Sequence, residues 1–116
     1  MLAAHDRIEI GDHVMFANNC FVGDASHKFD DPDVPITWQG FESKGPVSIG
    51  SNCWFGVNCV VTSGVTIGDR CVIGANSVVT SDLPDGVIAA GSPAKVIREI
   101  KFHGAEAQGS GSQSQE

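Results

Sequence analysis

Histidines are the side chains in this sequence best suited to proton transfer, and the chain has four of them: His5, His13, His27 and His103. His27 differs from the others because it ends a six-residue unit and opens a long segment rich in Pro and Asp. A histidine titrates near neutral pH, so it can take a proton from a hydroxyl group that attacks a carbonyl carbon. A histidine that only stabilises the loop would suit the same position, so both roles stay open. The other three histidines are expected at the solvated surface.

Cysteines are the second group that could do chemistry, and they number four: Cys20, Cys53, Cys59 and Cys71. The sequence contains no CxxC spacing of the kind that marks zinc or redox sites. Each cysteine instead stands four positions after the large apolar residue of a six-residue unit, where other units carry Val65 or Ser77. We therefore predict that all four are small apolar fillers that point into the core.

The elements that position these residues follow from an internal repeat with a period of six. A period of six matches neither the 3.6 of a helix nor the 2 of a long strand, and it fits a short strand followed by a tight corner. Three such units form a triangular coil of 18 residues, and stacked coils lie about 4.8 Å apart. The sequence predicts an all-β solenoid of about four short coils over residues 1–103. The large apolar residues of the repeat are Ile10, Phe16, Val22, Ile49, Phe55, Val61, Ile67, Ile73 and Val79.

The repeat is interrupted once, between Val22 and Ile49, whose spacing along the chain is not a multiple of six. We predict that residues 28–42 form a loop extruded from the coil. A long irregular loop in a compact domain is usually functional or disordered. With that loop removed, the expected stacks are Phe16 on Ile49, Val22 on Phe55, Cys20 on Cys53, and Ser26 on Cys59.

Composition limits the class of protein further. The chain has 116 residues and a formal net charge of −7, which argues against the basic face that nucleic-acid binding requires. No apolar run is long enough to cross a membrane, and no secretory signal is recognisable, so we expect a cytoplasmic protein. Residues 104–116 are rich in Gly, Ser and Gln, and we predict a disordered tail there.

Four segments of the chain carry a family resemblance: KGPVSIGSNCWFG (44–56), GVTIGD (64–69), VIGANSVVT (72–80) and AGSPAKVIR (90–98). They are similar to segments of the hexapeptide-repeat O-acetyltransferases of the galactoside, maltose and polysaccharide type. The resemblance is continuous over residues 43–100 and looser over residues 8–42. It implies a left-handed parallel β-helix with a short helical or extended C-terminal segment.

The resemblance also implies an activity, the transfer of an acetyl group from acetyl-CoA to a hydroxyl of a sugar or polysaccharide unit. His27 matches the catalytic histidine of the family, which acts as general base on the acceptor hydroxyl. Asp24, three residues earlier, could orient or stabilise the imidazole, and it could equally be a residue that only shapes the corner turn. No metal is implied.

Cofactor contacts are implied at seven positions. Trp54 matches the tryptophan beside the acyl-donor groove, although an outward aromatic side chain could also pack against another subunit. Ser81 stands where the family carries a lysine, so one phosphate contact differs. Lys95 and Arg98 could pair with the phosphates of CoA, or could only solubilise the C-terminal segment. The full implied set is Trp54, Val57, Ala75, Thr80, Ser81, Lys95 and Arg98.

The family is trimeric with its site between subunits, so the resemblance implies a homotrimer as well as a saccharide acceptor. The family usually has more chain before the first coil, including acceptor-binding residues, so the acceptor is open. Serine or an antibiotic is an alternative acceptor, and a non-catalytic β-helix for assembly or binding is an alternative function. The γ-class carbonic anhydrases share the fold, but the three zinc-binding histidines cannot be assembled because no histidine lies between residues 28 and 102.

Overall fold

The computed structural model describes residues 1–103, so the tail predicted over 104–116 lies outside the described residues. The described chain forms short β-strands and one 3₁₀ turn, Ile36–Trp38. The strands are β1 (Leu2–Ala3), β2 (Ile8–Ile10), β3 (Met15–Phe16), β4 (Phe21–Gly23), β5 (Ser26–His27), β6 (Phe41–Glu42), β7 (Val47–Ile49), β8 (Trp54–Phe55), β9 (Val60–Val61), β10 (Thr66–Ile67), β11 (Val72–Ile73), β12 (Val78–Val79), β13 (Val87–Gly91) and β14 (Ala94–Glu99).

Three sheets form the sides of a triangular β-helix. Sheet A has the strand order β1-β4-β9-β12, sheet B has β10-β7-β2, and sheet C has β14-β13-β11-β8-β3. Apart from the antiparallel pairs β5–β6 and β13–β14, consecutive strands lie in different sheets, so the chain turns a corner between them. All pairings within the coils are parallel. This architecture confirms the all-β solenoid with period-six units that the sequence predicts.

The core consists of the large apolar residues of the repeat, stacked in columns. Phe55, Ile67 and Ile73 are almost completely buried, and the ring of Phe16 stacks on that of Phe55 with centroids 4.7 Å apart. Burying one such side chain contributes about 1.5–3 kcal/mol. Strand alternation sends their neighbours outward, so a two-residue strand such as β8 supplies one inward anchor, Phe55, and one surface residue, Trp54.

All four cysteines are buried and unpaired by disulfides, as the sequence predicts. Their thiols donate hydrogen bonds to carbonyl oxygens of the next coil, for example Cys53 to Gly68 at 3.2 Å and Cys59 to Gly74 at 3.1 Å. Contact with the neighbouring Cys71 thiol, together with burial, raises the pKa of the Cys53 thiol. These contacts and the burial indicate that the thiols serve as core fillers.

The predicted stacking across the interruption is wrong by one six-residue unit. Phe16 pairs with Phe55, not with Ile49, and Val22 pairs with Val61, not with Phe55. The separation across the interruption is 39 residues, whereas later coils repeat every 18. The insertion is therefore longer than the predicted loop by one unit of the repeat. By the same register Cys20 shares a column with Cys59, and Cys53 with Cys71, while Ser26 lies outside the core columns in the exposed strand β5.

Corners require small residues because the next coil passes directly against the backbone. A Cβ atom added at Gly68 would lie 2.7 Å from the backbone nitrogen of Asp85 and closer still to its carboxylate. Other corner positions take left-handed backbone conformations, most often at asparagine, such as Asn58 with φ 60° and Asn76 with φ 62°. The repeat therefore depends on glycine and asparagine as much as on its apolar anchors.

The C-terminal segment is extended rather than helical. After β13 the chain reverses, and β14 pairs antiparallel with β13 from Gly91↔Ala94 to Val87↔Glu99. Among residues 1–103, no helix has the length and apolar character needed to cross a membrane.

Candidate functional site

The insertion leaves and re-enters the β-helix through a short antiparallel pair. Strand β5 pairs with β6, with Ser26 opposite Glu42 and His27 opposite Phe41. Beyond this pair the loop is organised by its own bonds. The side-chain amide of Gln39 donates to the carbonyl oxygens of Asp31 at 3.0 Å and Val34 at 2.6 Å. The loop root is therefore a defined structure.

His27 lies exposed at this root, with its ring against Phe41 at a centroid distance of 4.6 Å and an interplanar angle of 31°. The ring of His5, from the first coil, lies 6.0 Å from the same Phe41 ring. Two imidazoles thus lie close to one phenyl ring that is itself 56% exposed. An accessible imidazole held in this way can accept a proton from a hydroxyl group that approaches from solvent.

Asp24 is fully buried, and its carboxylate faces the backbone of the first coil. It accepts hydrogen bonds from the backbone N–H groups of His5, Asp6 at 2.6 Å and Arg7 at 2.7 Å. Burial alone would raise the pKa of the Asp24 carboxyl, but these donors outweigh burial, so the pKa lies below its ordinary value. The bonds support a structural role at the corner, and a direct contact to the His27 imidazole stays a prediction.

The predicted cofactor residues fall into two groups. Trp54 lies in β8 on the outer face of sheet C and is half exposed. Arg98 lies on the same face, because one outward column of paired residues contains Trp54, Val72, Ile88 and Arg98. Val57 and Ala75 are exposed at the corner that joins sheet C to sheet A. Lys95 is exposed on β14 opposite Ala90.

Thr80 and Ser81 belong to a different corner, where the chain leaves sheet A. They follow β12 directly, as Asp24 follows β4, and both are exposed. Since β4, β9 and β12 are consecutive in sheet A, Thr80 and Ser81 lie two coils from the corner at Asp24, about 10 Å along the β-helix. Thr80 and Ser81 therefore share the corner at which the insertion begins, while Trp54, Val57 and Ala75 lie along another edge.

Two residues of the site were not selected from the sequence. His5 was expected at the solvated surface, and Phe41 was counted only as part of the loop. Their proximity to His27 depends on the antiparallel β5–β6 pair and on the turn at residues 5–7, neither of which has a period-six signal. Within residues 1–103, no group of three or more His, Cys, Asp or Glu side chains is placed to hold a metal ion.

The repeat matches a known family model. Residues 46–81 match the family model described as the hexapeptide repeat of succinyl-transferase. This segment contains strands β7 to β12 in full, so it coincides with the regular coils.

Individual relatives extend the match beyond those coils. The Mycobacterium tuberculosis protein named Probable acetyltransferase Rv3034c is 45% identical over 103 residues, which is 87% of this chain and 34% of the relative. The chain thus spans about a third of the length of that curated relative.

Two solved structures share the fold. A maltose O-acetyltransferase from Clostridium difficile 630 superposes with a TM-score of 0.64 at 30% identity, over 87% of this chain and 67% of that chain. A galactoside acetyltransferase in complex with coenzyme A superposes with a TM-score of 0.74 at 41% identity, over 86% of this chain and 50% of that chain. These matches confirm the left-handed β-helix, and the chain belongs to the hexapeptide-repeat acetyltransferase family.

Proposed function

We propose that this protein transfers an acetyl group from acetyl-CoA to a hydroxyl of a sugar or polysaccharide unit, with His27 as the general base. The observation that carries the proposal is the exposed imidazole of His27, held against Phe41 at the root of the insertion in a chain of this family. The imidazole takes the proton of the acceptor hydroxyl while its oxygen attacks the thioester carbonyl. The carbon–sulfur bond then breaks, and the CoA thiolate leaves and takes up a proton.

A sugar acceptor is supported by two observations. Two of the solved relatives are by name a maltose O-acetyltransferase and a galactoside acetyltransferase. The loop root also presents an exposed phenyl ring, Phe41, close to two imidazoles. An apolar ring face beside groups that donate and accept hydrogen bonds suits a ligand such as a pyranose, with its apolar C–H face and polar hydroxyl rim.

Acetyl-CoA is the acyl donor in this proposal. Exposed Val57 and Ala75 stack one coil apart and would present backbone amide and carbonyl groups to the pantetheine arm, beside the indole of Trp54. The cations of Lys95 and Arg98 would pair with the phosphates, and Thr80 with Ser81 would donate hydroxyl hydrogen bonds. Coenzyme A bound to the galactoside acetyltransferase supports this donor. No metal enters the mechanism.

A homotrimer would bring the two groups of site residues together. The outer face of sheet A carries Phe21, Val60 and Val78, and that of sheet C carries Met15 and Trp54, whereas sheet B presents Glu9, Ser48 and Thr66. In a closed ring of three, each protomer meets its neighbours through two different faces. Two apolar faces beside one polar face suit that arrangement, with His27 of one protomer facing Trp54 of the next. We place the enzyme in the cytoplasm, where acetyl-CoA and reduced cysteines are both maintained.

The proposal is tested by following free-CoA release from acetyl-CoA with the purified protein and a panel of acceptors. The panel contains maltose, methyl β-galactoside, a polysaccharide repeating unit, serine and an acylatable antibiotic. Release that depends on a sugar supports the proposal. Release with serine or the antibiotic alone overturns the sugar assignment, and no acceptor-dependent release at all overturns the activity.

A further inference from the structure

The strongest unexplained feature of the site is a buried carboxylate at the start of the insertion. Asp24 has no exposed surface, and its two carboxylate oxygens accept hydrogen bonds from the three backbone N–H groups of residues 5–7. One acidic side chain thus provides the hydrogen-bond acceptors for all three backbone N–H groups of a turn in the preceding coil. Buried donors without such an acceptor would each cost the free energy of desolvation.

The same residue is linked to the point where the insertion returns. The hydroxyl of Ser43 donates a hydrogen bond to the backbone carbonyl oxygen of Asp24 and accepts one from the backbone N–H of Gly45 at 3.0 Å. Asp24 and Ser43 therefore form a clamp that joins three segments of the chain: the turn at residues 5–7, the start of the insertion and its end.

The clamp places the imidazole of His5 relative to Phe41, the residue that also contacts His27. His5 is held by its own backbone N–H to Asp24, and its ring faces Phe41 at 6.0 Å. His27 and Phe41 lie on the two strands that begin and end the insertion, and their rings are 4.6 Å apart. If the turn at residues 5–7 moved, His5 would leave the ring while His27 would stay paired through β5 and β6.

We propose that Asp24 is a positioning residue that holds His5, through the turn at residues 5–7, beside Phe41 as a second wall of the acceptor site in addition to His27. This role rests on the proposed acetyl transfer. His5 contacts the acceptor by a hydrogen bond from its imidazole, and Asp24 contacts neither acceptor nor acyl donor. Loss of the clamp therefore weakens acceptor binding and leaves acyl-donor binding intact.

The test compares Asp24→Asn with Asp69→Asn in the full chain. Asp69 is a matched control because its carboxylate accepts the backbone N–H of Ser51 at 2.8 Å at a different corner of the β-helix. With maltose and methyl β-galactoside as acceptors, Asp24→Asn is expected to raise the acceptor KM about tenfold and to leave the acetyl-CoA KM within about twofold. Asp69→Asn is expected to leave both values within about twofold.

A double-mutant cycle separates positioning from a general loss of stability. In a His5→Ala background, Asp24→Asn is expected to add less than about a twofold change in acceptor KM, because its effect passes through His5. An unchanged acceptor KM in Asp24→Asn overturns the inference. The inference is also overturned if Asp24→Asn still raises the acceptor KM tenfold in the His5→Ala background. An equal rise in acceptor KM in Asp69→Asn overturns it too.

A second readout does not depend on the acceptor. In a nitrogen-15 NMR spectrum of the imidazoles, Asp24→Asn is expected to shift the His5 signals while those of His13, which lies at another corner, stay in place. Unchanged His5 signals overturn the inference whether or not the protein is a transferase. If no acceptor supports turnover, the proposed function is wrong, but the positioning role of Asp24 is still tested. The NMR result alone then decides whether Asp24 holds His5 in place.

Discussion

The imidazole of His27 and the phenyl ring of Phe41 lie 4.6 Å apart on paired strands at the root of the insertion. Phe41 therefore reaches His27 only after the chain has completed the whole loop. A cross-strand pair with an aromatic ring contributes about 0.2–1 kcal/mol, enough to favour one orientation of an otherwise exposed side chain. The conformation of the loop and the placement of the proposed base are thus linked.

Removal of the Phe41 ring is expected to leave the His27 imidazole without a fixed orientation. Phe41→Ala should lower kcat for acetyl transfer about tenfold, because a misplaced base loses near-attack geometry, and it should leave the affinity for CoA unchanged. Phe29→Ala, on the same loop and 68% exposed, is the control and should stay within about twofold of the parent. Equal losses in the two variants would show that the His27–Phe41 contact has no role.

The buried carboxylate of Asp24 is expected to make stability depend on acidity. Since its pKa is lowered in the folded state, its contribution to stability is present above the ordinary value of 3.8 and is lost as the pH falls through the folded pKa. Urea unfolding of the parent and of Asp24→Asn should therefore differ most at neutral pH. The gap should narrow below about pH 4. A gap that stays constant from pH 7 to pH 2 would contradict this assignment.

The corners of the β-helix are expected to reject even one methyl group. In Gly68→Ala the new Cβ would lie 2.7 Å from the backbone nitrogen of Asp85, so the free energy of unfolding should fall by about 2 kcal/mol. Gly74→Ala is the matched control, because its new Cβ would have one close neighbour, the Cβ of Ala90 at 3.0 Å, so the overlap is smaller than at Gly68. Denaturant unfolding should show the smaller loss at Gly74, and the reverse order would contradict the packing described at Gly68.

The two apolar faces are expected to mediate assembly. Met15→Glu places a charge on the outer face of sheet C, where Met15 is 64% exposed in the single chain. Burial of an unpaired charge at an interface is unfavourable, so this variant should dissociate into monomers. Thr66→Glu makes the matched change on the polar face of sheet B and should leave the oligomer intact. Light scattering after size-exclusion chromatography distinguishes the two, and a parent that is monomeric would contradict the trimer.

The fold could be predicted from the sequence because the period-six pattern fixes both strand and corner in every unit. The register across the insertion could not. The spacing between Val22 and Ile49 fits the shorter predicted loop as well as an insertion longer by one whole unit of the repeat, and only three-dimensional pairing decides between them. The pairing of Phe16 with Phe55 and of Val22 with Val61 selects the longer insertion.

Only part of the candidate site could be predicted, because the repeat shows where it is interrupted but not which residues meet at the interruption. The place of His27 at a break in the repeat is visible in the sequence, and so is the unusual Trp54. The partners of His27 are not, because Phe41 comes back from the far side of the loop and His5 from an earlier coil. Asp24 illustrates the limit further, since the sequence left open whether it orients the imidazole or shapes the corner turn, and its hydrogen bonds to the backbone of residues 5–7 have no signal in the repeat.

The most direct test of the central claim is turnover of acetyl-CoA by His27→Ala in the presence of a sugar acceptor, measured beside its affinity for CoA. The account predicts that turnover falls by a factor of about 100 or more, while CoA binds as it does to the parent and His13→Ala remains active. A His27→Ala protein that transfers acetyl groups as fast as the parent would contradict the assignment of His27 as the base.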